Sequence, residues 1–207
     1  MIMCWKNFLQ IQEAKDNVNF FFLWLAVELA PTIYGEKPGT LLNLMNTSKL
    51  PMKALWLEFG CSILANSNME WIVLKDEPES MKIFFYREDL MRTSLEDCRV
   101  RHFLEGLGYH ANMNLKEILH HFTERFQYKC PHEMGIFLGI PLKDVMGFMG
   151  MSKECHTCQG MWQIYGDPVS SLSIMQRMEA AKSQVADWMM EGHAVIDVLC
   201  GTGLKIA

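Results

Sequence analysis

A chain of 207 residues, half of them apolar and 21% charged, can bury one substantial core and is too hydrophobic to stay disordered. Its formal net charge of -5 comes without any long Lys or Arg run, which argues against nucleic acid, whose binding starts from a concentrated positive surface. Seven scattered cysteines, an odd number, and an N-terminus without secretory signal order point to reduced thiols in a cytoplasmic protein, not to a disulfide framework.

The first predicted element is a helix over residues 16 to 30, where Val18, Phe21, Phe22, Leu25 and Leu29 fall at helical spacing and Pro31 marks the stop. Its FFFLWLAVELA run contains Glu28 and falls short of the roughly 20 residues a membrane span requires, so no membrane partner is expected. GEKPGTLLNLMN, from Gly35, reads as a loop feeding a short helix. After Pro51 a further helix carries Leu55, Trp56, Phe59 and Ile63, weakened by Gly60. MEWIVLK (69 to 75) and MKIFFYR (81 to 87) are β-branched and aromatic runs flanking DEPES, the pattern of a hairpin.

Helical periodicity then returns in SLEDCRVRHFLEGLGY, with Leu95, Cys98, Phe103 and Leu104 near one face and Gly106 and Gly108 at the end. Asn114 and Glu117 form a capping-box pattern ahead of the apolar stripe Leu115, Ile118, Leu119, Phe122 and Phe126. In CPHEMGIFLG a helix start is expected, with Cys130 near the N-cap, Pro131 at the first helical position, Glu133 in the first turn and Gly139 at the end. A second short helix runs from Pro141 to Phe148. MWQIYG (161 to 166) is a strand, and Asp167 and Pro168 open a long helix over 168 to 191, carrying Ile174, Met178, Ala181, Val185 and Trp188 before Gly192. The order predicts an α+β fold over residues 1 to 207: one mostly helical domain whose small sheet, the hairpin near 69 to 87 plus the strand near 161 to 166, is covered by helices.

Several clusters carry chemistry. His132 and Glu133 suggest an acid–base pair, although H-E-x-x-H is excluded because position 136 is Ile; the same residues also suit a helix cap. Cys155 and Cys158 have the C-x-x-C gap and, joined to Cys130 and His132, would make a four-ligand zinc set; alone they would be a redox dithiol or two loop thiols. His120 and His121 have Glu124 and Glu117 as helical neighbours and read as a solvated face. Arg87 either binds an anion or pairs with a carboxylate such as Asp89. VIDVLCGTG reads as a strand followed by Gly-Thr-Gly and superficially resembles a methyltransferase cofactor turn. Leu199 stands where that turn has its first glycine, and the sequence ends at Ala207 before a supporting helix, so no cofactor is expected there.

APTIYGEKPGTLLNL, IFFYREDL, FLEGLGY, PHEMGIFLGIPLKDVMGF and GMWQIYGD, in this order over residues 25 to 192, resemble a family of small bacterial proteins known as domain of unknown function 3793, seen largely in anaerobes. The resemblance implies a cytoplasmic single domain with N- and C-terminal extensions, and a link to anaerobic redox or iron metabolism. Two positions depart from the family pattern: Leu29 precedes Ala30-Pro31 where a cysteine is usual, and Cys130 replaces an aromatic. The matching positions Lys37, Tyr86, Arg87, His132, Glu133, Trp162 and Tyr165 would form, if they converge, a basic and aromatic pocket for an anionic or planar ligand. The expected function is an accessory protein that binds a small molecule, a cofactor or a redox protein. The alternatives are an enzyme using His132 and Glu133, and a zinc- or thiol-dependent regulator.

Overall fold

The computed structural model describes residues 5–6 and 16–201. Helix α1 (Asn17–Ile33) is capped by Asp16, whose carboxylate accepts the Val18 and Asn19 amides. It buries Phe21, Leu25, Ala26, Val27, Leu29 and Ala30 completely, as a helix that is apolar all round must. It also runs past the expected stop. Pro31 sits in the last turn, where its missing N–H forgoes the one bond to the Val27 carbonyl, and its own carbonyl accepts the Glu36 and Lys37 amides at 2.7 and 3.1 Å to turn the chain.

The next segment is a strand, β1 (Gly39–Met45), where a loop and short helix were expected. Leu is a helix former by propensity, but Thr40, Leu42 and Leu44 alternate inward with period two, and tertiary burial prevails. Helix α2 (Met52–Ile63) follows, then the expected hairpin of β2 (Glu70–Glu77) and β3 (Ser80–Tyr86). The sheet is antiparallel in the order β1-β3-β2, with Leu42 opposite Ile83 and Val73 opposite the same Ile83 on the other side. A register shift between Val73 and Lys75 leaves Leu74 without a partner in β3.

As the central strand, β3 buries both faces. Met81, Ile83 and Phe85 enter one core with α1, α2 and the long helix near the C-terminus; Phe84 enters a second core on the opposite face. That second face is covered by α3 (Glu88–Glu96), α4 (Cys98–Glu105) and α5 (Leu115–Tyr128). Asp97 breaks the single expected helix into α3 and α4 by accepting the Arg99 amide as an N-cap. Asn114 and Glu117 complete the capping box of α5 in both directions. The centre of this core is an aromatic group, with Phe122 4.5 Å from Phe137 and 5.7 Å from Phe84 between ring centroids.

Residues 131 to 133 form a turn, and α6 (Met134–Phe137) starts only after it, so the helix expected from Pro131 is short and late. Helix α7 (Leu142–Phe148) begins behind Pro141 as expected. The strand expected near 161 to 166 is β5 (Gln163–Tyr165), which pairs with β4 (His156–Gln159) in a separate two-stranded sheet and does not extend the hairpin sheet. Helix α8 (Val169–Met190) then packs on α1, and Lys182 reaches Glu28 across that interface at 2.6 Å. The expected C-terminal strand is a helix, α9 (Val195–Cys200), ended by Gly201 at φ +65°. Val198 and Leu199 are fully buried in the first core, and the Gly-Thr-Gly stretch beyond Gly201 lies outside the described residues. No helix among the described residues is long and apolar enough to cross a membrane.

Candidate functional site

One carboxylate organises the region where α6, α7, the β4–β5 hairpin and α8 meet. Asp144, in the first turn of α7, is 1% exposed, yet its two oxygens accept four hydrogen bonds. Oδ1 accepts from Lys143 Nζ at 2.7 Å and from the Tyr165 amide at 2.9 Å; Oδ2 accepts from Trp162 Nε1 at 2.9 Å and from Ser171 Oγ at 2.5 Å. A buried carboxylate is tolerated only when it is paired and saturated in this way. Burial pushes its pKa up, but the bonds from Lys143, Ser171, Tyr165 and Trp162 together outweigh that and hold it below the usual carboxylate range. Gly147, one turn further along α7, lets the Tyr165 ring close down: a Cβ there would lie 2.2 Å from Tyr165 Cγ. The carboxylate and the glycine together fix the hairpin against α7.

Beside this junction lies a pocket of 460 Å³, within the range of small-molecule sites. Its walls include Met134, Leu138, Val145 and Phe148 from the α6–α7 segment and Gln159, Trp162 and Gln163 from the hairpin, together with Cys130 and His132. The His132 and Phe148 rings meet edge to face at 5.2 Å, and Trp162 is locked through its N–H to Asp144. Among the described residues no Lys or Arg lines the pocket.

The residues singled out in the sequence divide into groups. His132 and Trp162 both line the pocket, and Cys130 lies with them. Burial pushes the Cys130 thiol pKa up, the Glu133 charge adds to this, and Lys82 opposes it, so the thiol is held in its protonated form. Glu133, next in sequence to His132, belongs to a different network. It is 1% exposed and accepts from Arg125 Nε and from the Tyr109 hydroxyl at 3.2 Å. This explains the carboxylate without a helix dipole, since Glu133 stands before α6 and makes no cap bond. Burial and then the Glu133 charge raise the Tyr109 hydroxyl pKa well above its ordinary value. His121 packs on Tyr109, 4.7 Å between rings; it approaches Glu124 at 3.9 Å, not Glu117, and its Nε2 is buried with no partner among the described residues. His120, 3.5 Å from Glu124, is the solvated neighbour expected.

Lys37, Tyr86 and Arg87 lie away from the pocket. Arg87 donates to the Ile33 carbonyl at 3.0 Å and pairs with Asp89, bolting the end of α1 to the end of β3. Tyr86 stacks on Phe84, and burial, then Glu70 and Glu88, raise its hydroxyl pKa. Burial first, and then nearby Lys182, bring the Lys37 amine down to about 8 against the opposing charge of Glu28. Tyr165 contributes its backbone amide to Asp144 and its hydroxyl to Gln163 at 2.9 Å.

Among the described residues no group of three or more His, Cys, Asp or Glu side chains is placed to hold a metal ion, so Cys130, His132, Cys155 and Cys158 do not assemble the four-ligand zinc set. The physical reason lies in the backbone. The stretch from Cys155 to Cys158 leads into and along β4, where three residues span about 10 Å, instead of curling into a turn that brings two sulfurs onto one tetrahedral ion.

Sequence reasoning missed Asp144 as a hub and passed over Phe148, Gln159 and Gln163. The available signal was Asp144 itself, an acidic residue inside the apolar run GIPLKDVMGF, which either faces water or finds donors. Residues 25–199 match the family described as Protein of unknown function (DUF3793). No curated protein and no solved structure matches the chain.

Proposed function

The chain belongs to the family described as Protein of unknown function (DUF3793), and from that premise we propose that it is a binding protein whose ligand, a small molecule with a substantial apolar surface, occupies the pocket between the α6–α7 segment and the β4–β5 hairpin. The observation that carries this reading is the locked wall. Trp162 is held by Asp144, and Asp144 is held by three other donors, so the cavity exists before the ligand arrives and little ordering cost is left to binding. Packing alone does not account for a 460 Å³ space flanked by an exposed Phe148 and an exposed His132, because burying those rings would stabilise the fold.

The test is titration with Nile red, a neutral apolar fluorophore, followed by its emission shift. Saturation at one equivalent is expected in the unaltered protein, with loss of that site in the Phe148→Ala, Trp162→Ala double variant. Binding that is non-saturating, or saturating equally in both proteins, would remove the pocket as the site. His132 then has a defined part: it lines the cavity while Glu133 is engaged by Tyr109 and Arg125, and serves as a polar contact for the ligand.

A further inference from the structure

Resting on that reading, we propose that the ligand is a flat heteroaromatic ring carrying a lactam edge, an N–H beside a C=O, and uncharged where it enters the pocket. The hydrogen-bonding pattern of two side chains supports the edge. Gln159 and Gln163 face each other across β4 and β5 as a registered cross-strand pair, and both line the pocket. Side chains so placed start about 5 Å apart on one face of a hairpin, and both can converge on one ligand edge.

Each amide is half used. Gln159 Nε2 donates to the Gly160 carbonyl at 3.1 Å, which leaves its oxygen as an acceptor. Gln163 Oε1 accepts from the Tyr165 hydroxyl at 2.9 Å, which leaves its nitrogen as a donor. The two internal bonds leave the Gln159 oxygen and the Gln163 NH₂ as the wholly unused ends, beside one remaining N–H on Gln159 and one remaining lone pair on Gln163. The hairpin therefore presents one acceptor and one donor side by side, the complement of N–H beside C=O. A carboxylate or phosphate would leave the unused Gln159 oxygen unmatched, and an amine the unused Gln163 NH₂.

The other walls select shape and charge. Trp162, together with the edge-to-face His132 and Phe148 rings, gives the lining aromatic surfaces suited to a flat π-system. With no Lys or Arg among the described lining residues, and the Asp144 carboxylate already paired with Lys143, the lining offers an anionic ring no countercharge. The 460 Å³ volume accommodates a bicyclic ring.

The experiment is a set of calorimetric titrations with three probes: lumazine in its neutral form, a bicycle with lactam edges; quinoxaline, a bicycle of similar size without one; and decanol, which is apolar and not flat. Lumazine is expected to bind about tenfold or more tighter than quinoxaline, the advantage of two additional hydrogen bonds over solvent. The Gln159→Leu, Gln163→Leu double variant is expected to lose that advantage while keeping quinoxaline affinity, which also verifies that the variant is folded. Equal binding of lumazine and quinoxaline, or preference for decanol, would overturn the lactam assignment while leaving the pocket as a ligand site. No binding of any of the three would overturn both readings.

Discussion

Replacement of Asp144 by Asn tests whether the pocket wall depends on a charged acceptor. In the least costly arrangement the Asn oxygen keeps Lys143 and the Tyr165 amide, and the new NH₂ donates to Ser171, whose hydroxyl can reverse its role. Trp162 Nε1 is then left facing a donor. An orphaned buried donor costs about 1–3 kcal/mol, and the two retained bonds lose their charge assistance, so the loss is about 2–4 kcal/mol in total. Lys143 is 30% exposed, which keeps its share of the loss near the low end because water replaces part of it. Urea unfolding followed by tryptophan fluorescence measures the change directly. The pH dependence gives a second check. The folded pKa of Asp144 is depressed, so its contribution is complete above the unfolded value of about 3.9 and is lost as pH falls through the lower folded value. The gap between the unaltered protein and Asp144→Asn should therefore be constant above about pH 5 and close on acidification. A variant within about 1 kcal/mol of the parent, or a gap that does not change with pH, would refute the hub.

Three further outcomes are expected. Gly39→Ala would bring a Cβ to 2.3 Å from Phe84 Cζ and 2.9 Å from the Phe137 carbonyl, so a loss of about 1–3 kcal/mol is expected in the same urea assay. Asn114→Ala removes the acceptor for the Lys116 and Glu117 amides and should cost about 1 kcal/mol, read as a lower melting temperature with unchanged ligand titrations. Elemental analysis of protein purified without added metal should give zinc well below one equivalent, and a full equivalent released by thiol modification would show that Cys155 and Cys158 close around an ion after all.

The α+β class, the hairpin, the capped α5 and the long α8 were legible in the sequence because each is signalled locally: by turn residues between β-branched runs, by Asn114 and Glu117, or by an apolar stripe. Strand β1 was not, because a Leu-rich segment is recruited into a sheet by burial against β3, which local propensity does not register. The C-terminal reversal has the same origin. Val195, Ile196 and Val198 suggest a strand, but Val198 and Leu199 dock into the first core as one turn of helix. At the pocket, His132 and Trp162 are among the residues the sequence singles out, whereas the Asp144 network spans residues 143 to 171 and exists only after the hairpin folds back on α7. Neighbours in sequence also parted: Glu133 joins Tyr109 and Arg125 while His132 faces the cavity.

The register shift in β2 bears on what the edge of the sheet can pair with. β2 is an outer strand, and such a strand ordinarily offers a row of free amides and carbonyls to any passing chain. Here the Leu74 carbonyl, unpaired by the shift, is occupied by Gln127 Nε2 at 2.5 Å, and the neighbouring stretch carries Lys75, Asp76 and Glu77 in ion pairs with Glu77, Lys53 and Lys75. A fourth strand would have to displace the glutamine, straighten the shift and desolvate those charges. That border is thereby a poor template for a further strand.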